Sequence, residues 1–160
     1  DLWWTILLPA FLFFSTQGKF IFGGAKPVPI NPLRFSNRRL GISLVSAAGP
    51  LSNISLALIS AFFLNIFIYF GVNIPLLNII LFKGVLFNMV LAGFNLIPIP
   101  PLDGSKLLVY FLPPEYEYNV MRMEMFGFIL LIVAINFGLF SFVVNHFILP
   151  IINYLIPLYF

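Results

Sequence analysis

The 160 residues are 61% hydrophobic and 8% charged, with a formal net charge of +3 and no cysteine. Mean hydropathy is +1.08. A water-soluble domain this apolar has too few polar groups to cover itself, so the composition points to an integral membrane protein. Disulfides, thiolate metal ligands and a cysteine nucleophile are excluded, and no nucleic-acid partner is expected.

Four apolar segments occur along the chain. The first, Leu2 to Phe14, contains Pro9 and falls short of the roughly 20 residues a span requires. It reads as re-entrant, interfacial or the tail of a truncated helix. The second, Ile42 to Phe70, is long enough to cross a bilayer with tilt. The third runs from about Ile74 to Ile97 and is interrupted by Lys83, which can snorkel toward its outer end. The fourth runs from Phe126 to about Leu149, ahead of Pro150 and an apolar tail. "PPEYEYNVMRMEMFG" reads as a short amphipathic interfacial helix. The expectation is an all-α, polytopic membrane helical bundle, one domain over 1–160, in contact with the lipid bilayer.

The loops set the orientation. Lys19, Lys26, Arg34, Arg38 and Arg39 lie between the first two segments with no acid among them. The positive-inside rule makes this proline-rich loop, residues 15–41, cytoplasmic. The chain then exits and returns, so residues 98–125 are also expected on the cytoplasmic side of a multi-pass cell-membrane protein.

"NLIPIPPLDG", residues 95–104, carries the chemistry. A carboxylate at mid-bilayer costs about 2.5–3.5 kcal/mol and less near an interface, so Asp103 needs water, a cation or a metal. Pro98, Pro100 and Pro101 each remove a backbone donor and end the helix. Such backbone is tolerated at membrane depth only where it is buried in protein or lines a wet cavity. The plain alternative is that Asp103 is an N-cap for a helix from Gly104 to Phe111. Asn95 is either a helix–helix hydrogen-bond donor or a donor to a substrate carbonyl or developing oxyanion. Asn88 is expected to be structural. "AAGPLSN", residues 47–53, offers close packing and a kink at Gly49 and Pro50, with Ser52 and Asn53 turned to the bundle interior. His146 is the lone histidine, and the chain has no histidine pair at i, i+4.

Together these motifs resemble the site-2 protease family of intramembrane zinc metalloproteases. "NLIPIPPLDG" is similar to the family's N-x-x-P-x-P-x-L-D-G signature, and "AGPLSN", about forty residues earlier, to its A-G-P-x-x-N helix. "FGGAKPVPINPLRF" resembles the loop GWAKPVPVNP of short bacterial and archaeal members. "LPPEYEYNVMRMEMFGFILL" is similar to the segment after the L-D-G motif in the same members. The resemblance covers about Thr5 to Leu131. It implies cleavage of a transmembrane protein substrate within the membrane, with one zinc ion held by Asp103 and two histidines of an H-E-x-x-H helix. Asn95 corresponds to the residue that contacts substrate or the tetrahedral intermediate, and Pro98, Pro100 and Asn53 to substrate-binding positions. H-E-x-x-H does not occur in these residues. The expectation is therefore that the helix and its two histidines lie upstream of Asp1, and that this chain alone is inactive. Two other readings compete: a catalytically inactive member acting as a membrane scaffold, and a transporter fragment with a broken-helix ion site. Oligomeric state has no signal in the sequence.

Overall fold

The computed structural model describes residues 35–113, 115 and 122–157, without the side chains of 124 and 125. The expectations for Leu2 to Phe14, for most of the loop 15–41 and for much of the amphipathic helix over 113–127 lie outside these residues, as does part of the expected 1–160 domain. Every described element is helical: α1 (Arg38–Tyr69), α2 (Pro75–Asn95), α3 (Asp103–Val109), α4 (Glu124–Asn136), α5 (Leu139–Val143), a π-helical turn (Val144–Ile148) and α6 (Leu149–Leu155).

α1 starts four residues before the apolar run, because Asn37 caps it: its side-chain oxygen accepts from the Leu40 amide at 3.1 Å. Pro50 is buried inside this helix, which continues through it. Gly71 closes α1 at φ +67°, with the Val72 amide bonded to the Phe67 carbonyl at 2.8 Å. α2 comes next, with Pro75 in its first position, where the missing N–H costs nothing.

α1 and α2 pack as a hairpin along two matched stripes. Ala57, Ala61 and Leu64 on α1 meet Val85, Met89 and Ala92 on α2, each set spaced i, i+4, i+7. Small residues matter because lipid gives no hydrophobic drive between helices, leaving van der Waals contact to hold them. At Gly84 a Cβ would sit 2.8 Å from the Ser60 hydroxyl, so the helices cross closely here. Val143, Ile148, Ile152 and Ile156 close the same core from the C-terminal segment. Asn65 fastens that segment by donating to the Leu155 carbonyl at 2.6 Å.

Outside this core the helices are apolar and uncovered. Phe62, Leu51 and Phe87 are each more than half exposed. α1 and α2 are long and apolar enough to cross a membrane, and α4 with the α5–α6 stretch makes a third candidate if the bent pair is one span. The fourth apolar segment is thus not continuous. It bends by 73° at a break where Gly138 has φ +93°. No acid occurs from 126 to 155, and Asn136 at the break donates to Ile132 of its own helix at 2.8 Å. A second break thus interrupts the apolar segments, here without a carboxylate.

Candidate metal centre

The chain leaves α2 at Asn95 through a series of tight turns. The four N–H groups that remain between 96 and 102 all bond nearby carbonyls: Leu96 to Ala92, Ile97 to Phe94, Ile99 to Ile97 and Leu102 to Ile99, at 2.8–3.0 Å. The three prolines there contribute carbonyls and no donors, so the turn has acceptors in surplus. The Pro100–Pro101 peptide bond is cis.

Two glycines let this turn fold against the helices. A Cβ on Gly104 would lie 2.5 Å from the Ile97 carbonyl oxygen and would also strike that of Leu96. A Cβ on Gly127 of α4 would strike the Pro100 carbonyl, with the Pro100 ring at 2.7 Å. Gly104 therefore seats the start of α3 directly on the end of α2. Residues 95 and 103 are each one position from that contact, so the turn returns Asp103 to the neighbourhood of Asn95.

α3 begins at Asp103 itself. Its N-cap is Leu102, and no side chain caps it. The N-cap reading of Asp103 is thus incorrect: the Leu102 carbonyl starts the helix, accepting from the Ser105 amide at 3.1 Å and the Ser105 hydroxyl at 2.7 Å. The far end of α3 is clasped by α1. Arg39 donates to the Val109 and Tyr110 carbonyls (Nε to Val109 at 3.2 Å), and the Ser43 hydroxyl to the Lys106 carbonyl at 3.2 Å. These are carbonyls that the helix end leaves without intrahelical donors, and a cation there suits the helix dipole. Nothing local in the sequence announces this clasp, whose partners are 63 to 71 residues apart.

That clasp sets Asp103 against the "AGPLSN" stretch. A Cβ on Gly49 would lie 3.5 Å from the Asp103 carboxylate, an ordinary contact distance that puts the two side by side. Asn53 lies one helical turn further along the same face. Asp103, Asn53 and Asn95 are all half-buried, and none of the three side chains has a hydrogen-bond partner among the described residues. The other polar candidates are occupied. Ser52 is exposed and bonds back to the Ala48 carbonyl at 2.7 Å, so it does not face the interior as expected; Asn88 bonds to Gly84 of its own helix at 2.8 Å. Pro98 is exposed beside an apolar cavity, and Pro100 is half-buried against Gly127.

A half-buried carboxylate without donors suits a metal ligand, since a cation offsets the cost of its desolvation. It is one ligand only. Among the described residues no group of three or more histidines, cysteines and acids could hold a metal. His146 is exposed, donates through Nδ1 to Phe142 at 3.1 Å and stacks on the Phe142 ring at 4.7 Å.

Two curated proteins show what this chain is similar to. It is 36% identical over 127 residues to the Bacillus subtilis protein named "Putative zinc metalloprotease YwhC", covering 76% of this chain and 58% of that protein. It is 35% identical over 86 residues to "Putative zinc metalloprotease MJ0611" of Methanocaldococcus jannaschii, covering 54% and 41%. The similarity is to proteins named as zinc metalloproteases. The chain spans little more than half the length of the first and less of the second. No family model and no solved structure matches it.

Proposed function

We propose that this chain is the substrate-facing and third-ligand part of a zinc metalloprotease of the site-2 type, which cleaves transmembrane protein segments within the membrane. The observation that carries the reading is the Asp103 carboxylate, half-buried, lying against Gly49 and without a donor among the described residues. Asp103 would hold one zinc ion together with ligands from outside these residues, the imidazoles of an H-E-x-x-H helix. Zinc, when bound, polarises a scissile carbonyl and lowers the pKa of bound water to about 7.

The chain's own groups supply the remainder. Asn95 has an amide free to donate to the scissile carbonyl oxygen and to hold it as negative charge develops. Asn53 offers a second amide one turn from Gly49, to orient an unwound substrate backbone. Pro98 and Pro100 belong to the turn whose surplus carbonyls can accept from that backbone, in the manner of an added strand. The apolar faces of α1 and α2 keep bulk water from the site. Like the Asn95–Asp103 turn, the loops 15–41 and 98–125 would face the cytoplasm of a cell-membrane protein.

The reading is tested by reconstituting the full-length protein in vesicles with a synthetic leucine/alanine transmembrane peptide that carries a Gly-Pro break. The expected result is zinc-dependent hydrolysis by the wild type and none by Asp103→Ala, with the variant unchanged in helicity. Hydrolysis at the wild-type rate by Asp103→Ala overturns it.

A further inference from the structure

A cavity of about 480 Å³ lies beside the turn that leads to Asp103. Its walls come from three parts of the chain: Ile54 on α1, Met89 and Gly93 on α2, and Phe147 and Ile151 on the C-terminal segment, with Pro98 at its edge. Every lining residue is apolar. The volume lies within the range of about 300–1,000 Å³ typical of pockets that enclose a ligand.

Two features distinguish it from a packing defect. The first is its border. Ile54 and Leu96 in the wall directly follow Asn53 and Asn95 in the chain, so the segments that wall the cavity also carry these two amides, neither of which has a partner among the described residues. An acyl chain offers such amides nothing. A peptide unwound in lipid presents backbone N–H and C=O groups, each needing a partner at a cost of several kcal/mol if unmet. The amides, the surplus carbonyls of residues 96–102 and an apolar cavity match an extended peptide with a bulky apolar side chain. The second feature is how the wall is built. Gly93 packs closely on Ile148, whose side chain a Cβ there would approach to 3.1 Å. The π-helical turn Val144–Ile148 carries Phe147 and Ile148 to the opposite wall. π-turns within α-helices commonly mark functional sites.

We infer that this cavity is a specificity pocket, which takes one large apolar side chain of the unwound substrate beside the bond to be cleaved, with Gly93 and Ile54 setting its size. The inference rests on the protease reading above. It predicts discrimination by side-chain size rather than by charge. A hydrophobic pocket gains about 10- to 200-fold for each methylene it accommodates well, so the preference for a large over a small residue should be at least tenfold.

The test uses the full-length protein in vesicles with the same leucine/alanine peptide, carrying Phe or Ala next to its Gly-Pro break. The wild type should cleave the Phe peptide at least ten times faster. Ile54→Trp and Gly93→Leu fill the cavity from opposite walls. Each should reduce the preference for the Phe peptide over the Ala peptide to within about twofold. An unchanged preference in Ile54→Trp, with the variant folded, overturns the pocket. A second readout separates the pocket from the protease reading. A photo-crosslinking residue at Phe147 should capture the Phe peptide more than the Ala peptide in the Asp103→Ala background, where no cleavage is expected. Should the wild type cleave neither peptide, size-selective capture still supports the pocket, and equal capture of both peptides rejects it.

Discussion

The α1–α2 hairpin and the Asn95–Val109 stretch are built on opposite terms. In the hairpin the solvent dictates composition: apolar bulk faces outward, small residues face the neighbour, and many substitutions of similar character would serve. Where the backbone leaves the helix, each position is constrained by the carbonyl it meets. Gly104 is set by the carbonyls of Leu96 and Ile97, and Gly127 by that of Pro100. Arg39 and Ser43 are set by the open carbonyl end of α3. Composition therefore builds the apolar hairpin, and backbone accounting builds the turn that carries Asp103.

If that contrast holds, substitutions in the turn should be costly and those on the hairpin's outer face nearly silent. The largest effect is expected at Asn95. Asn95→Ala in the full-length protein should lower peptide cleavage by about 10²–10³-fold, as for loss of one oxyanion donor, with zinc content unchanged. Parallel loss of zinc would instead make Asn95 a structural prop. Next comes Gly104→Val, whose side chain must displace two backbone carbonyls. It should destabilise the protein by about 1–3 kcal/mol in thermal unfolding in detergent. Smaller again is Arg39→Ala, which frees the end of α3 and should cost about 1 kcal/mol, since the guanidinium is partly solvated. The control is Phe62→Leu on the exposed face of α1, expected within about 0.5 kcal/mol of wild type. A cost at Phe62 as large as that at Gly104 would break the contrast.

Much of the fold was legible because hydropathy reports spans directly: the predicted second and third segments match α1 and α2 apart from their ends. The ends differ for physical reasons. α1 takes in Arg38 and Arg39, which hydropathy discards but which Asn37 caps into the helix. The break at Gly138 was hidden inside an apolar run, although a glycine two residues after Asn136 is a recognised helix stop. At the site, the proline cluster and Asp103 stand out in the sequence because a carboxylate beside lipid is expensive. Reading Asp103 as a cap failed because Leu102 and Ser105 start α3 without it. The meeting of Asp103 with Gly49 and the clasp from Arg39 join residues more than fifty positions apart, a distance that no local pattern spans.

The central claim is that the Asp103 carboxylate lies beside lipid because it holds a metal. Zinc content per chain, measured on the purified full-length protein and on its Asp103→Ala variant at equal helicity, tests it most directly. The account predicts about one zinc in the wild type and a small fraction of that in the variant; a variant that keeps a full equivalent of zinc would contradict it.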